Sequence, residues 1–371
     1  MASVRLIHIA PELPSTVGGV ADYTAILSRR LVEVSDGTVE PVLMHAGNQP
    51  AEEIDVPFPV EDLSGKCSAT ALAQATERLA AEGDGRAVVL LEYSGYGYAS
   101  RGVPLWLARG LRRVCGEDGV PLITMFHELY ATGPPWTSAF WWSFLQKQVV
   151  KKIANLSLAV VTNRTDSARW LEEQEEQTDA PVRFQPVFSN VGEPQSESGS
   201  WDSYAVLFGG NGKEPLYQNH GHDIAAILRD MEVDRVVDLG PPPSEHVIEA
   251  IPIPVQIKEY VAAETISEYL QRASVGLLYR NPRALAKSGS LAAYMAHGVP
   301  PVVALRHSSQ ENETLERGKH YLALQGLLEN GTLSSVEWQR IGSAGNKWYR
   351  ENAHSRRAAE TFLDLISTVW K

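Results

Sequence analysis

Short apolar runs of the kind that form fully buried parallel strands alternate with longer helix-period segments along this chain, and the alternation is written twice. In the first half the strand-like runs fall at 4–10, 41–45, 87–92, 121–126 and 156–162, with helical patterns at 20–33, 71–82 and 104–115 among them. The second half starts again at 205–209 and continues at 235–239, 255–260, 275–279 and 299–304. Parallel strands need a crossover of a dozen or more residues, which a helix supplies. The pattern therefore predicts an α/β chain of two Rossmann-like domains whose parallel sheets face a cleft, and 371 residues suit two cores better than one. Residues 190–201, NVGEPQSESGSW, have the composition of a linker. They divide the chain into an N-terminal domain at 1–192, a linker at 193–202, a second domain at 203–351 and a closing segment at 352–371. In that last segment Ala358, Phe362, Leu365, Ile366 and Val369 recur at the spacing of an amphipathic helix.

Charge and cysteine content exclude several classes. A formal net charge of −12 opposes the broad basic surface that a phosphodiester backbone needs, so nucleic acid is not an expected partner. The two cysteines, Cys67 and Cys115, lack any Cys/His ligand spacing, so neither a zinc site nor a disulfide framework is expected, and they read as reduced cytosolic thiols. No basic and then apolar leader precedes the first strand, and no run of about 18 apolar residues occurs. A cytoplasmic protein is the expectation. Residues 139–154, AFWWSFLQKQVVKKIA, mix aromatics with Lys147, Lys151 and Lys152. Such a helix can lie on anionic lipid at the inner face of a membrane, or it can pack normally with one solvated basic face.

The loop after the first strand, PELPSTVGGV, carries Gly18 and Gly19 ahead of a helix. Paired glycines at a strand's carboxyl end let backbone approach a phosphate or sugar, and a plain tight turn is the alternative. The loop lacks the G-x-G-x-x-G spacing of dinucleotide dehydrogenases. The fourth strand ends in His127 and Glu128, a pair able to orient a sugar hydroxyl or an acceptor, or else simply solvated. Tyr93, Tyr96 and Tyr98, interleaved with glycines after the third strand, suit either a sugar-stacking surface or packing over the sheet edge.

In the second half, the strand at 205–209 opens into Gly210, Asn211, Gly212 and Lys213, a glycine turn bearing one cation. The clearest anion site is Arg280 followed by Lys287, Ser288, Gly289, Ser290 and Leu291, where a helix begins. Free amides, the positive end of a helix dipole, hydroxyls and cations converge there. Ser288 is equally a good N-cap.

The order of these pieces, ending in the string MAHGVPPVV at 295–303, resembles that of the retaining glycosyltransferases of family 4, which have the GT-B fold. The resemblance covers nearly the whole chain. It implies a nucleotide-sugar donor, an acceptor of saccharide, lipid-linked or other cell-envelope precursor type, retention of configuration, and no metal or other cofactor. It also implies that Gly19 lies near the donor phosphate or sugar, His127 on the sugar, Lys213 near the diphosphate, the amides of 288–291 on it, and Tyr260 and Val261 by the base. By the same resemblance the last helix crosses back to the first domain. The sequence departs from the family at three positions: Leu285 and Ala293 stand where it commonly has glutamates, and Asn211 stands where an arginine often follows the first glycine of the second domain. In this divergent pattern Arg280 and Lys287 would neutralise the diphosphate. A catalytically silent nucleotide-binding protein of the same fold, or a nucleotide-sugar epimerase, is the alternative.

Overall fold

The computed structural model describes residues 3–369 apart from 15, 17, 49–53, 84, 134–135, 175–179, 195–200, 211, 250, 307–311, 313 and 332. Asn211 and most of the 193–202 linker therefore lie outside the described residues. The chain divides into two compact units, the first comprising Met1–Gln185 and Ser355–Lys371 and the second Pro186–His354.

Unit 1 holds β1 (Val4–Ala10), β2 (Val39–His45), β3 (Val60–Asp62), β4 (Ala87–Ser94), β5 (Leu122–Glu128), β6 (Ala159–Thr162) and β7 (Val182–Phe184). All neighbours pair in parallel, in the order β3-β2-β1-β4-β5-β6-β7. The central strands read VRLIHIA, AVVLLEYS and LITMFHE and are buried almost throughout, as strands covered on both faces must be. Unit 2 holds β8 (Asp202–Phe208), β9 (Arg235–Leu239), β10 (Val255–Lys258), β11 (Ala273–Arg280), β12 (Pro301–Leu305) and β13 (Leu322–Ala323), again all parallel, in the order β10-β9-β8-β11-β12-β13. Both sheets thus follow the doubly wound order, with the direction of winding reversing between β1 and β4 and between β8 and β11.

Three of the four outermost strands, β3, β7 and β13, are two or three residues long, and their sequences VED, VRF and LA contain no apolar run to announce them. Such short edges also limit pairing with other chains. β6 starts at Ala159 rather than 156 because Leu156 and Ser157 still close the preceding helix, donating their amides to Ile153 and Ala154. The final helix, Ser355–Thr368, belongs to unit 1, as the resemblance implied. It buries Ala358, Ala359, Phe362, Leu365 and Ile366 and packs against the helix Gly19–Val34, where Arg30 Nε donates to Ser355 Oγ at 2.8 Å.

Candidate functional site

Ligands of doubly wound sheets bind past the carboxyl ends of the strands at the switch point. On unit 1 that edge carries buried polar groups from three adjacent strands: His8 of β1, Glu92 of β4 and His127 of β5. The Glu92 carboxylate accepts from His8 Nε2 at 2.8 Å and from His127 Nε2 at 2.7 Å. With both Nε2 atoms donating, the Nδ1 atoms accept, from the Ser28 hydroxyl at 2.8 Å on His8 and from Asn163 Nδ2 at 3.4 Å on His127. Burial alone would raise the Glu92 carboxyl, but the bonds from His127 and His8 outweigh it and hold the group below the ordinary carboxylate range. Tyr23 meets the His127 ring edge-on at 5.0 Å. Asn163 is fully buried, and its Oδ1 has no hydrogen-bond partner among the described residues. An orphaned acceptor of this kind costs about 1–3 kcal/mol. The sequence signal for His8 and Glu92 is a polar residue inside an otherwise apolar buried strand. Glu128, next along β5, is exposed.

The three tyrosines do not act together. Residues Gly95–Tyr98 form one helical turn, and Tyr93 and Tyr98 are both fully buried. Tyr93 stacks on Tyr98 at 6.3 Å and meets Phe126 edge-on at 5.2 Å, while the Tyr98 hydroxyl donates to the Glu92 carbonyl at 2.9 Å. These two are core residues, which corrects the reading of them as a sugar platform. Tyr96 alone is exposed, its hydroxyl accepting from Gln146 Nε2 at 3.3 Å. At the glycine pair, a Cβ on Gly18 would run into the Glu12 carboxylate, whereas one on Gly19 would meet open space. Glu12 sets a negative charge beside Gly18, which disfavours a phosphate at that point.

On unit 2, β8 runs into Gly209, exposed Gly210 and Gly212, the last capping the helix Lys213–Asp230. Gly209 has φ 109°, open to glycine at no steric cost, and a Cβ there would also collide with Ser290 Oγ. Ser290 lies in the helix Gly289–Ala296, which follows β11 across the switch point. Ser288 is its N-cap and accepts from the Leu291 amide at 3.3 Å, so Leu291 is not available to a ligand and the amides of Gly289 and Ser290 are the ones left at the positive helix end. The helix is anchored along its length. Tyr294 OH accepts from the Phe208 amide at 2.8 Å and donates to the Leu277 carbonyl at 2.9 Å, tying it to β8 and β11. Asn346 Nδ2 donates to the carbonyls of Met295 and Ala296, both at 2.9 Å. Burial pushes His297 down to about 4, so its neutral ring donates through Nδ1 to the Ala293 carbonyl at 2.7 Å.

Arg280 ends β11 beside this helix. It is half-buried, and its guanidinium has no carboxylate or hydrogen-bond partner among the described residues. Burial pushes it below the ordinary arginine value. A cation so placed is costly until an anion joins it. Lys287 is half-buried just before the cap. Lys213 is different: its ammonium pairs with Asp238 Oδ1 and donates to the carbonyls of Leu239 at 3.1 Å and Pro241 at 3.0 Å. Its three donors are all engaged, which corrects its placement beside a diphosphate. The Tyr217 hydroxyl donates to the other Asp238 oxygen at 2.7 Å, and burial pushes the Asp238 carboxyl up and the Lys213 ammonium down. At the end of β10, Tyr260 is 71% exposed with φ 46°, and Val261 is half-buried. Leu285 and Ala293 are buried and apolar.

No protein-family model matches the chain, and no curated protein sequence matches it. Solved structures match it along its length. A UDP-forming trehalose-phosphate synthase from Burkholderia xenovorans is 12% identical with a TM-score of 0.62, covering 100% of both chains. A mutant of S. aureus TarM in complex with fondaparinux, α-GlcNAc-glycerol and UDP is 10% identical at 0.62, covering 98% of this chain and 99% of that one. A Listeria monocytogenes chain described as a UDP-N-acetylglucosamine 2-epimerase is 14% identical at 0.60, covering 100% and 97%. At such identities the likeness shows the fold, a pair of parallel-sheet Rossmann-like domains of the GT-B class.

Proposed function

We propose that this chain is a glycosyltransferase that moves a sugar from a nucleoside-diphosphate donor to a saccharide, lipid-linked saccharide or other cell-envelope precursor. The observation that carries the reading is Arg280, a half-buried guanidinium without a carboxylate partner among the described residues, at a switch point beside a glycine turn and two open helix-end amides. Those groups, with Lys287, suit a diphosphate in both charge and donor number. The fold neighbours support the same class, since one is a UDP-forming synthase and another holds UDP. Tyr260, exposed on strained backbone, and Val261 are the groups assigned to the base.

In the reaction, the bond between the anomeric carbon and the diphosphate oxygen breaks with the electron pair leaving on the phosphate. The acceptor oxygen bonds to that carbon on the same face, and its proton passes to the departing phosphate. Arg280, Lys287 and the amides of Gly289 and Ser290 stabilise the charge that develops. His127, held by Glu92, is assigned to a sugar hydroxyl. Its 3.4 Å contact to Asn163 is the weaker of its two and the one a hydroxyl would replace, with the orphaned Asn163 Oδ1 as a second acceptor.

A nucleotide-binding protein without turnover is the second reading. It is favoured by the buried apolar Leu285 and Ala293, which stand where the enzymes this sequence resembles carry glutamates. Thermal shift against UDP-, GDP-, ADP- and dTDP-sugars tests both. One donor should raise the melting temperature, by about 2.7 kcal/mol of stabilisation at a hundredfold excess over its Kd, and release of its sugar should follow on a suitable acceptor. Stabilisation by none of the four sinks the proposal, and stabilisation without release across an acceptor panel selects the silent form.

A further inference from the structure

We infer that unit 1 carries a docking surface for an anionic lipid bilayer, built on the helix Ser138–Ala154 and the neighbouring helix Leu105–Val114. Along the first helix the exposed residues are Phe140, Trp141, Phe144, Leu145, Gln148 and Lys152, a single stripe at helical spacing, while Val149, Val150 and Ile153 are buried opposite it. The stripe changes character along its length. Its first half is apolar, with Trp141 70% and Phe144 65% exposed and Trp136 82% exposed just ahead of the helix. A cluster of large aromatics facing water marks an interaction surface. Two of the local rings lie under cations, Trp142 beneath Arg101 at 4.6 Å and Tyr130 beneath Lys147 at 4.5 Å, the pairing of aromatic and basic groups that suits a membrane interface.

The second half is basic. Beside it lies a cavity of about 420 Å³ lined by Arg109, Arg112, Lys152, Leu105, Ala108 and Leu156 together with Asn155. None of the three cations has an ion-pair or hydrogen-bond partner among the described residues. Charge segregation points to the occupant. In a chain of net charge −12, the stretches 93–116 and 129–165 contain Arg101, Arg109, Arg112, Arg113, Lys147, Lys151, Lys152 and Arg164 but no Asp or Glu. Aromatics to sit among the acyl boundary, and a cationic groove to take a phosphate headgroup, together match a negatively charged membrane rather than a neutral one. No described helix is long and apolar enough to cross a bilayer, so the contact is peripheral.

Co-sedimentation of the full chain with vesicles of phosphatidylcholine alone, or mixed with phosphatidylglycerol, tests this at low and high salt. The chain should pellet with the mixed vesicles at low salt and be released at high salt. The triple variant Arg109→Ala, Arg112→Ala, Lys152→Ala should bind on the order of a hundredfold more weakly, about fivefold per cation. Trp141→Ser with Phe144→Ser should also lose binding. All these side chains are exposed except the aliphatic parts lining the groove, so melting curves should match wild type and show that the variants fold. Failure to pellet at low salt, equal binding to pure phosphatidylcholine, or retained binding by both variants overturns the inference. Light scattering that shows a dimer dispersed by the Trp141→Ser, Phe144→Ser variant would assign the face to a second copy of the chain and overturn it as well. The outcome is independent of donor binding, which is read separately by thermal shift.

Discussion

The two units share a strand order but treat the charge at their switch points in opposite ways. In unit 1 the buried carboxylate of Glu92 is bracketed by two imidazole donors and held below its ordinary pKa, so its hydrogen bonding is met without a ligand. In unit 2 the buried carboxylate of Asp238 faces a single ammonium and is pushed up by burial, while Arg280 nearby in the sheet has no carboxylate partner among the described residues. The same topology thus yields one edge whose buried carboxylate is hydrogen-bonded from both sides and one that presents a half-buried guanidinium with no carboxylate partner among the described residues. The difference lies in which side chains end the strands, since the backbone frame is common to both.

The largest effects should come from removing either buried carboxylate. Glu92→Ala and Asp238→Ala each strand a desolvated partner and should cost about 3–5 kcal/mol, read by urea unfolding. If Glu92→Ala costs far less than Asp238→Ala, the description of the Glu92 bonding in unit 1 fails. Next, Arg280→Met should weaken nucleoside-diphosphate binding by about 1.5–3 kcal/mol in calorimetry while leaving the melting temperature of the free protein equal or higher, because an uncompensated cation has been removed. A drop in both affinity and stability would mean that Arg280 is a structural cation.

Acid should separate the units more gently. The Glu92 contribution, from a depressed pKa, is present above the unfolded value and is lost as pH falls through the lower folded value. For Asp238 the folded pKa is raised, so acidification relieves a penalty instead. Hydrogen exchange followed by mass spectrometry below pH 4.5 should therefore show β4 and β5 losing protection before β8 and β9, and the reverse order would break the contrast. The smallest effect is expected at Tyr260, whose φ of 46° costs a non-glycine residue about 1 kcal/mol. Tyr260→Gly should raise the melting temperature slightly and lower nucleotide affinity. A gain in both would remove Tyr260 from the site.

Much of the frame was legible because buried parallel strands are written as apolar runs with helices between them. The edges β3, β7 and β13 were not, since two or three residues held by backbone bonds leave no hydrophobic record. The candidate site residues differ in how much of their surroundings the sequence discloses. Arg280 and the Ser288–Gly289 helix start announce themselves by type and position, whereas the fate of a lysine or tyrosine depends on partners far along the chain. Lys213 is engaged by Asp238, twenty-five positions on, and Tyr98 by the Glu92 carbonyl and the aromatic core, so neither reaches a ligand. Conversely His8 and Glu92 lie inside strands whose apolar neighbours conceal them, and only the sheet order brings them within 2.8 Å.

The return of the helix Ser355–Thr368 to unit 1 has a consequence for how the molecule is made. On a ribosome adding roughly 5–20 residues per second, unit 1, which has segments on both sides of unit 2 in the chain, is completed after it. Unit 2 is synthesised in full by His354, while the apolar flank of the helix Gly19–Val34 still lacks the cover that Phe362, Leu365 and Ile366 supply. A nascent chain stalled between His354 and Ser355 would therefore expose the flank of the helix Gly19–Val34 to chaperones and proteases, and loss of the helix Ser355–Thr368 would unsettle a segment more than 300 positions earlier.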